Sequence, residues 1–373
     1  MWSDAERASR PMSSEQLAPV QARPGCPGAS GREARSTTVV RMSRSKETEI
    51  HKTIPGVRVG HASDFEGLTG CTVVLCEGGA VCGVDVRGSA AGTRDLAACL
   101  PGHVVERVHA IYLSGGSAFG LDAAAGVMEY LESRGVGFAA GNVRVPIVPG
   151  AVIFDLHLGS PKARPTRTMA LRACRKASRE IIEGSVGAGT GATVGKLFGI
   201  ARATKGGVGF WSRQLAGGVY VQALAVVNAF GDVVDPRTGR VIAGARRSPY
   251  SGEFAGTEER MLTGQGGRGF GATNTTLVVV MTNAALDKVQ VTKVAQMAHD
   301  GLARAIRPVH TQWDGDLVFA LSAGRKQADV NAVGTLAAQA TADAIVRAVE
   351  MAKGLGGIPS CRDLGASGSL LRE

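Results

Sequence analysis

From IPGVRVGH at residues 54–61 onward, apolar runs bounded by glycine alternate with stretches whose apolar residues recur every three or four positions. CTVVLCE (71–77), AVCGVDVRG (80–88) and AIYLSGG (110–116) are short and nearly continuous in apolar residues, which predicts three short buried strands. SAFGLDAAAGVMEYLESRG follows with Phe119, Ala123, Val127, Tyr130 and Leu131 on one face and Gly135 as a stop, predicting a helix capped by Ser117. A second helix is predicted over PTRTMALRACRKASREIIEG, entered at Pro165 and ended at Gly184. GGVYVQALAVVNAFGDVVD reads as a long apolar strand with Asn228 near its end, after which periodicity lapses from Arg240 to Ala272. A structureless stretch of that length inside a domain is functional or flexible. TNTTLVVVMTN then re-enters the core as a strand, followed by a helix with Val294, Met297, Ala298, Leu302 and Ala305 on one face, a strand in WDGDLVFALSAG, and an alanine-rich closing helix over 328–354.

Length and composition set the scale. With 373 residues and 44% hydrophobic content the chain buries a large core, as one big domain or two ordinary ones. The net charge of +10 is spread from Arg7 to Arg372 without a basic run, and aromatics that stack bases make up only 5%, so it reads as a solvated surface and no nucleic-acid partner is expected. Seven cysteines with no Cys-x-x-Cys pair suggest neither a disulfide framework nor a zinc ribbon. No signal-peptide core and no run of 18 or more apolar residues occur, so no membrane is expected and a cytoplasmic location is the default. Residues 1–48, rich in Ser, Arg, Pro, Gly and Glu, are expected to form a disordered extension. Organised sequence begins after Met42, which raises the question of whether residues 1–41 are translated natively; Asp4, Glu6, Glu15 and Glu33 speak against a transit peptide.

Two glycine-rich segments invite an anion. GGSAFG opens a helix but does not have Gly-x-Ser-x-Gly spacing, and close packing explains its glycines. SVGAGTGATVGK approaches a phosphate loop at Gly189, Gly195 and Lys196, yet Leu197 stands where a magnesium-binding hydroxyl belongs, so no nucleotide cofactor is expected. The polar residues at strand ends carry more. In an extended chain Asp314 and Asp316 point to the same side, where they share a proton, bind a metal or face a cation, unless Asp-Gly simply makes a turn. A metal-dependent site of Asp314, Asp316 and His310 lacks a convincing third-ligand geometry, so no metal is expected. In GATNTTLVVVMTN, hydroxyls stand at the entrance of a buried strand just after a glycine-rich loop. That layout suits self-cleavage, with the Thr275 hydroxyl attacking the Asn274 carbonyl and the new terminal amine, reference pKa about 7.7–8.0, serving as its base. The carboxylate pair would hold that ammonium, while Lys196 and Asn228 would supply positive charge and an amide donor for an oxyanion. Thr276 is the rival nucleophile, and alternation along the strand does not decide between them.

VPGAVIFDL, GATVGK, ALAVVNAFG, NTTLVVVMTN, HTQWDGDLVFAL and DVNAVGTLA, in this order across residues 53–353, resemble the autoprocessed family of L-aminopeptidase/D-esterases, β-aminopeptidases and nylon-oligomer hydrolases. The resemblance implies an α+β fold, a four-layer αββα sandwich like that of N-terminal-nucleophile hydrolases but with different connectivity. It also implies a larger chain, 49–274, and a smaller one, 275–373, that stay together after cleavage between Asn274 and Thr275, commonly as homotetramers. It selects Thr275 over Thr276 and matches Lys196, Asn228, Asp314 and Asp316 as site residues. The implied activity is hydrolysis of small peptides, ω-amino-acid amides or nylon-like oligoamides without a cofactor; the alternative is an uncut, non-catalytic homologue that binds a small molecule. One departure is Phe154, where nylon-oligomer hydrolases carry tyrosine, so a hydroxyl donor is missing.

Overall fold

The computed structural model describes residues 52–265 and 274–365; the expected disordered extension and the glycine-rich end of the aperiodic stretch, 266–273, lie outside them. Nine strands form one hydrogen-bonded sheet. In chain order they are β1 (Arg58–Asp64), β2 (Thr69–Val86), β3 (Gly92–Arg94), β4 (Arg107–Ser114), β5 (Gly150–Val152), β6 (Gly207–Leu215), β7 (Val219–Asn228), β8 (Thr275–Ala284) and β9 (Leu317–Lys326). Across the sheet the order is β6-β7-β8-β9-β2-β4-β5-β3, with β1 beside β2. The helices are α1 (Ala124–Glu132), α2 (Arg167–Lys176), α3 (Thr257–Leu262), α4 (Lys288–Ala305) and α5 (Val330–Glu350).

Strand β2 turns this sheet into two layers. The two runs read as separate strands, 71–77 and 80–88, are one 18-residue strand whose register against β4 slips between Leu75 and Ala80. Gly79, at φ +77°, supplies the left-handed residue such a bulge requires. Before the bulge, β1 pairs along one edge of β2; after it, β9 takes over. Even-numbered side chains Val74, Cys76, Ala80, Cys82 and Val84 all enter one central cluster. The odd face changes partner: Cys71, Val73 and Leu75 pack with α1 and α2, whereas Val81 packs against the cluster of α4 and α5. The result is the expected αββα sandwich, with its central core between two sheet halves.

Strand β8 lies wholly inside it. Leu277, Val279 and Met281 face the central cluster while Val278 and Val280 face α4 and α5, all at 0% exposure. Each such side chain contributes about 2 kcal/mol of burial, which anchors the strand carrying the site. Helix α4 starts on a capping box between Asp287 and Gln290. Helix α5 comes close to β6 because Gly209 has no side chain; a Cβ there would lie 2.1 Å from the Ala344 carbonyl oxygen.

Three expectations need correction. The second helix ends at Lys176, not Gly184, because Ser178 exchanges backbone hydrogen bonds with Val59 at the sheet edge, at 2.8 and 3.0 Å. Ser117 is not an N-cap: it sits at φ +53° in a 3-10 turn, Ser117–Ala123, and the Gly116 amide donates to Asp155 Oδ1 at 2.7 Å instead. The described part of the aperiodic stretch is ordered. The buried Asp232 carboxylate accepts from Ala245 N at 2.8 Å, Thr257 N at 2.6 Å and Thr257 Oγ1 at 2.6 Å, which fixes it in place of an apolar stripe.

Candidate active site

Register alone brings three chain segments to one end of the sheet. Antiparallel pairing of β7 with β8 sets Asn228 opposite Thr275. Parallel pairing of β8 with β9 sets Leu277 beside Leu317, and the bridge between Asn274 and Asp314 extends it outward. Lys196 arrives on a separate segment whose backbone pairs with the turn after β7, Gly195 N to Gly231 O and Lys196 N to Phe230 O, both at 3.0 Å. Lys196, Asn228, Asn274, Thr275, Asp314 and Asp316 are all buried, none more than 3% exposed.

The pleat separates the two threonines. Thr275 shares the face of Leu277 and Val279, toward the central core, where Asn228 also points by the alternation of Leu224 and Val226. Thr276 points the other way, and its hydroxyl is buried without a hydrogen-bond partner among the described residues. The Thr275 hydroxyl donates to the carbonyl oxygen of Asn274, which also accepts from the Gly315 amide at 2.8 Å. Gly315 must be glycine here, since a Cβ would stand 2.7 Å from Thr275 Oγ1.

Lys196 Nζ donates to Asn228 O at 2.9 Å and Oδ1 at 2.8 Å. Those two bonds match the two N–H groups of a neutral amine and leave its lone pair over. Burial is the main reason the Lys196 pKa falls to about 7; Asp314 and Asp155 oppose the fall and Lys205 adds to it. Asn228 Oδ1 further accepts from Thr193 N at 3.0 Å, and its Nδ2 donates to Phe154 O at 3.1 Å. The contact to residue 154 is thus made by its backbone, while the Phe154 ring packs on His157 at a centroid distance of 4.7 Å.

Asp314 accepts from Phe230 N at 3.0 Å and Thr311 Oγ1 at 2.5 Å. Burial first, and then the Asp316 charge, push its pKa up to about 7. Asp316 Oδ1 accepts from Thr276 N at 2.7 Å, one residue from the Thr275 hydroxyl. Its Oδ2 accepts from the backbone N of His310 at 3.1 Å and faces His310 Nδ1 at 2.9 Å. The sequence set His310 beside the two aspartates only as a rejected metal ligand; the structure makes it a hydrogen-bond partner of Asp316. Sequence reasoning missed Gly315, whose contribution is a backbone amide, and Lys205. The Lys205 ammonium, fully buried, donates to the carbonyls of Gly189, Ala192 and Gly206 at 3.1, 2.6 and 3.1 Å. It therefore clamps the glycine-rich segment that delivers Lys196. Those glycines serve close packing: a Cβ on Gly191 would meet Leu68 O at 2.3 Å. Among the described residues no group of three or more His, Cys, Asp and Glu has the arrangement of a metal site, and no helix is long and apolar enough to cross a membrane.

Comparison with known proteins finds relatives over most of the chain. The model of peptidase family S58 matches residues 52–361. A Mycobacterium tuberculosis protein named an uncharacterized aminopeptidase is 42% identical over 347 residues, 85% of this chain and 98% of the relative. A 6-aminohexanoate-oligomer endohydrolase from Kocuria sp. is 33% identical over 358 residues, 89% of this chain and 94% of the relative. The solved L-aminopeptidase D-Ala-esterase/amidase of Ochrobactrum anthropi, described as a variant of the N-terminal-nucleophile hydrolase fold, superposes with a TM-score of 0.63 at 18% identity over 82% of this chain and 87% of that one.

Proposed function

The chain belongs to peptidase family S58 and hydrolyses amide bonds, and we propose that it does so through Thr275 after cutting itself between Asn274 and Thr275. The observation that carries this reading is the Asn274 carbonyl, met by the Thr275 hydroxyl and the Gly315 amide at the meeting point of three strand ends. In the uncut chain, neutral Lys196 takes the hydroxyl proton, Thr275 Oγ bonds to the Asn274 carbonyl carbon, and the Gly315 N–H steadies the oxygen as charge develops on it. The Asn274–Thr275 C–N bond breaks, the proton passes to the leaving nitrogen, and water hydrolyses the ester. Thr275 is left with a free amine whose reference pKa of about 7.7–8.0 suits a general base near neutrality.

In turnover that amine activates its own hydroxyl for attack on a substrate carbonyl. Lys196 and the Asn228 carboxamide stabilise the oxyanion, and Asp314 and Asp316 hold the ammonium. Beside Lys196 lies a small crevice lined by Phe154, Asp155, His157, Leu158, Gly191, Thr193 and Ile200. The names of the relatives support small peptides, ω-amino-acid amides and nylon-like oligoamides as the substrates of this chain. Phe154 offers the oxyanion no tyrosyl hydroxyl.

Denaturing electrophoresis and intact-mass measurement test the reading. Wild-type protein gives two pieces split after Asn274, and Thr275→Ala gives one folded, uncut, inactive chain. A Thr275→Ala chain that still processed normally would remove Thr275 from the mechanism.

A further inference from the structure

Behind Asp316 stands a pair of histidines that the proposed reaction does not use. His310 Nε2 lies 3.3 Å from His299 Nδ1, the rings meet edge to face at a centroid distance of 4.8 Å, and His299 Nε2 lies 3.0 Å from the backbone oxygen of Asp85. At the other end His310 Nδ1 lies 2.9 Å from Asp316 Oδ2. The His299 side chain is 0% exposed, that of Asp316 2% and that of His310 17%, so water does little to settle these contacts.

Counting protons along this row gives a definite answer. The Asp85 oxygen is only an acceptor, so His299 Nε2 carries a hydrogen. Asp316 accepts the His310 backbone N–H at Oδ2 and that of Thr276 at Oδ1, bonds that favour the carboxylate form, and a carboxylate is only an acceptor, so His310 Nδ1 also carries a hydrogen. The contact between the rings then needs a third hydrogen, and two neutral imidazoles hold only two. Without it, two nitrogen lone pairs face each other in a buried place. The charged neighbours fix where it sits. Burial chiefly pulls the His299 pKa down to about 4; charge on His310 and the guanidinium of Arg87, just after β2, add to the fall, while the backbone oxygen and carboxylate of Asp85 oppose it. Asp316, with Asp314 beyond it, faces His310 and favours charge there.

We infer that His310 is held as an imidazolium between the Asp316 carboxylate and a neutral His299, and that it is a positioning residue which keeps Asp316 ionised and aimed at the start of β8. His310 stands at φ +55°, a left-handed conformation that L side chains rarely adopt, and there its backbone N–H and its ring reach the same carboxylate oxygen. The catalytic part of this inference rests on the hydrolase reading; the proton count does not.

Long-range proton–nitrogen NMR on the full chain, labelled at its seven histidines, reads the charge directly. At pH 7 we expect one histidine protonated on both ring nitrogens, lost in His310→Asn, and one neutral histidine with its hydrogen on Nε2, lost in His299→Gln. A neutral His310, or a His299 carrying its hydrogen on Nδ1, overturns the inference. These spectra hold whether or not any amide is cleaved, so wild-type protein inert toward every amide tried would sink the hydrolase reading separately. For the positioning role, His310→Asn and His310→Gly both tolerate the left-handed backbone, but only Asn retains a side-chain donor toward Asp316. The Asn variant should keep kcat within about tenfold of wild type and the Gly variant should lose about a hundredfold, with KM unchanged in both. Wild-type kcat in the Gly variant, or equal losses in the two, refutes the positioning role.

Discussion

Replacing Lys196 by methionine tests the charge state on which the proposed chemistry depends. Methionine keeps most of the side-chain volume and removes the amine. The folded chain lowers the Lys196 pKa from 10.5 to about 7, chiefly by burial. At about 1.4 kcal/mol per pH unit, the protonated form is disfavoured in the folded state by about 5 kcal/mol. Against this, Asn228 O loses its lysine donor, at a cost of about 1–3 kcal/mol. Lys196→Met should therefore be about 2–4 kcal/mol more stable than the parent at pH 7. The sign of the pH dependence follows from linkage. Between about pH 7 and 10.5 the unfolded parent keeps the lysine proton that the folded parent has shed, so parent stability rises with pH, by at most about 1.4 kcal/mol per unit. From pH 7 to 9.5 the advantage of the variant should shrink by about 3 kcal/mol, to near zero. Lys205, also lowered to about 7, is common to both proteins and cancels in the difference. Losing Lys196 drives Asp314 further up, which acts in the same direction. Both proteins should carry Thr275→Ala, so that each unfolds as one chain, and urea curves followed by tryptophan fluorescence at three or more pH values supply the comparison. A stability difference that stays flat over that range would mean Lys196 remains an ammonium throughout, and it could not then act as the base for self-cleavage.

Other outcomes follow from the same geometry. Thr276→Val removes a buried hydroxyl that has no partner among the described residues, so it should cut normally and gain up to about 1 kcal/mol in urea unfolding; an uncut Thr276→Val chain would restore Thr276 as the nucleophile. In freshly translated protein, self-cleavage followed by electrophoresis should speed up about tenfold per pH unit below about 7 and level off above it, because Lys196 loses its proton there. A rate unchanged from pH 5.5 to 8 would exclude Lys196 as the base.

The sequence exposed most of the architecture because periodicity and strand-end polarity are local signals. Leu277 to Met281 read as a buried strand and lie on two buried faces. What escaped was decided by distant partners. Residues 178–184 carry a helical pattern, yet the edge of β1 claims the Ser178 backbone. The break at Gly78-Gly79 read as the end of a strand because a bulge and a turn use the same residues, and only pairing with β1 and β9 on either side of it reveals one continuous β2. Segment 240–265 lacked an apolar stripe because one buried carboxylate, Asp232, organises it. Lys196, Asn228, Asp314 and Asp316 were each open to bland readings as loop, turn or packing residues. Adjacency is what the fold adds, through the pairing of Asn228 with Thr275 and of Asn274 with Asp314.

That adjacency also bears on how one site serves two reactions. Burial drives Lys196 and Asp314 toward neutrality, both to about 7, so before cleavage the site holds a lysine with a usable lone pair and a carboxyl close to losing its proton. Cleavage as proposed creates an ammonium on Thr275 beside them. A new cation favours the ionised form of Asp314. The carboxylates then have a positive partner to orient, and the freed amine sits closer to the hydroxyl than any lysine. In the proposed scheme the unprotonated fraction of that amine, reference pKa about 7.7–8.0, then replaces Lys196 as the base. For that reason a site built from a buried lysine and two carboxylates is suited to cut its own chain once and substrates many times.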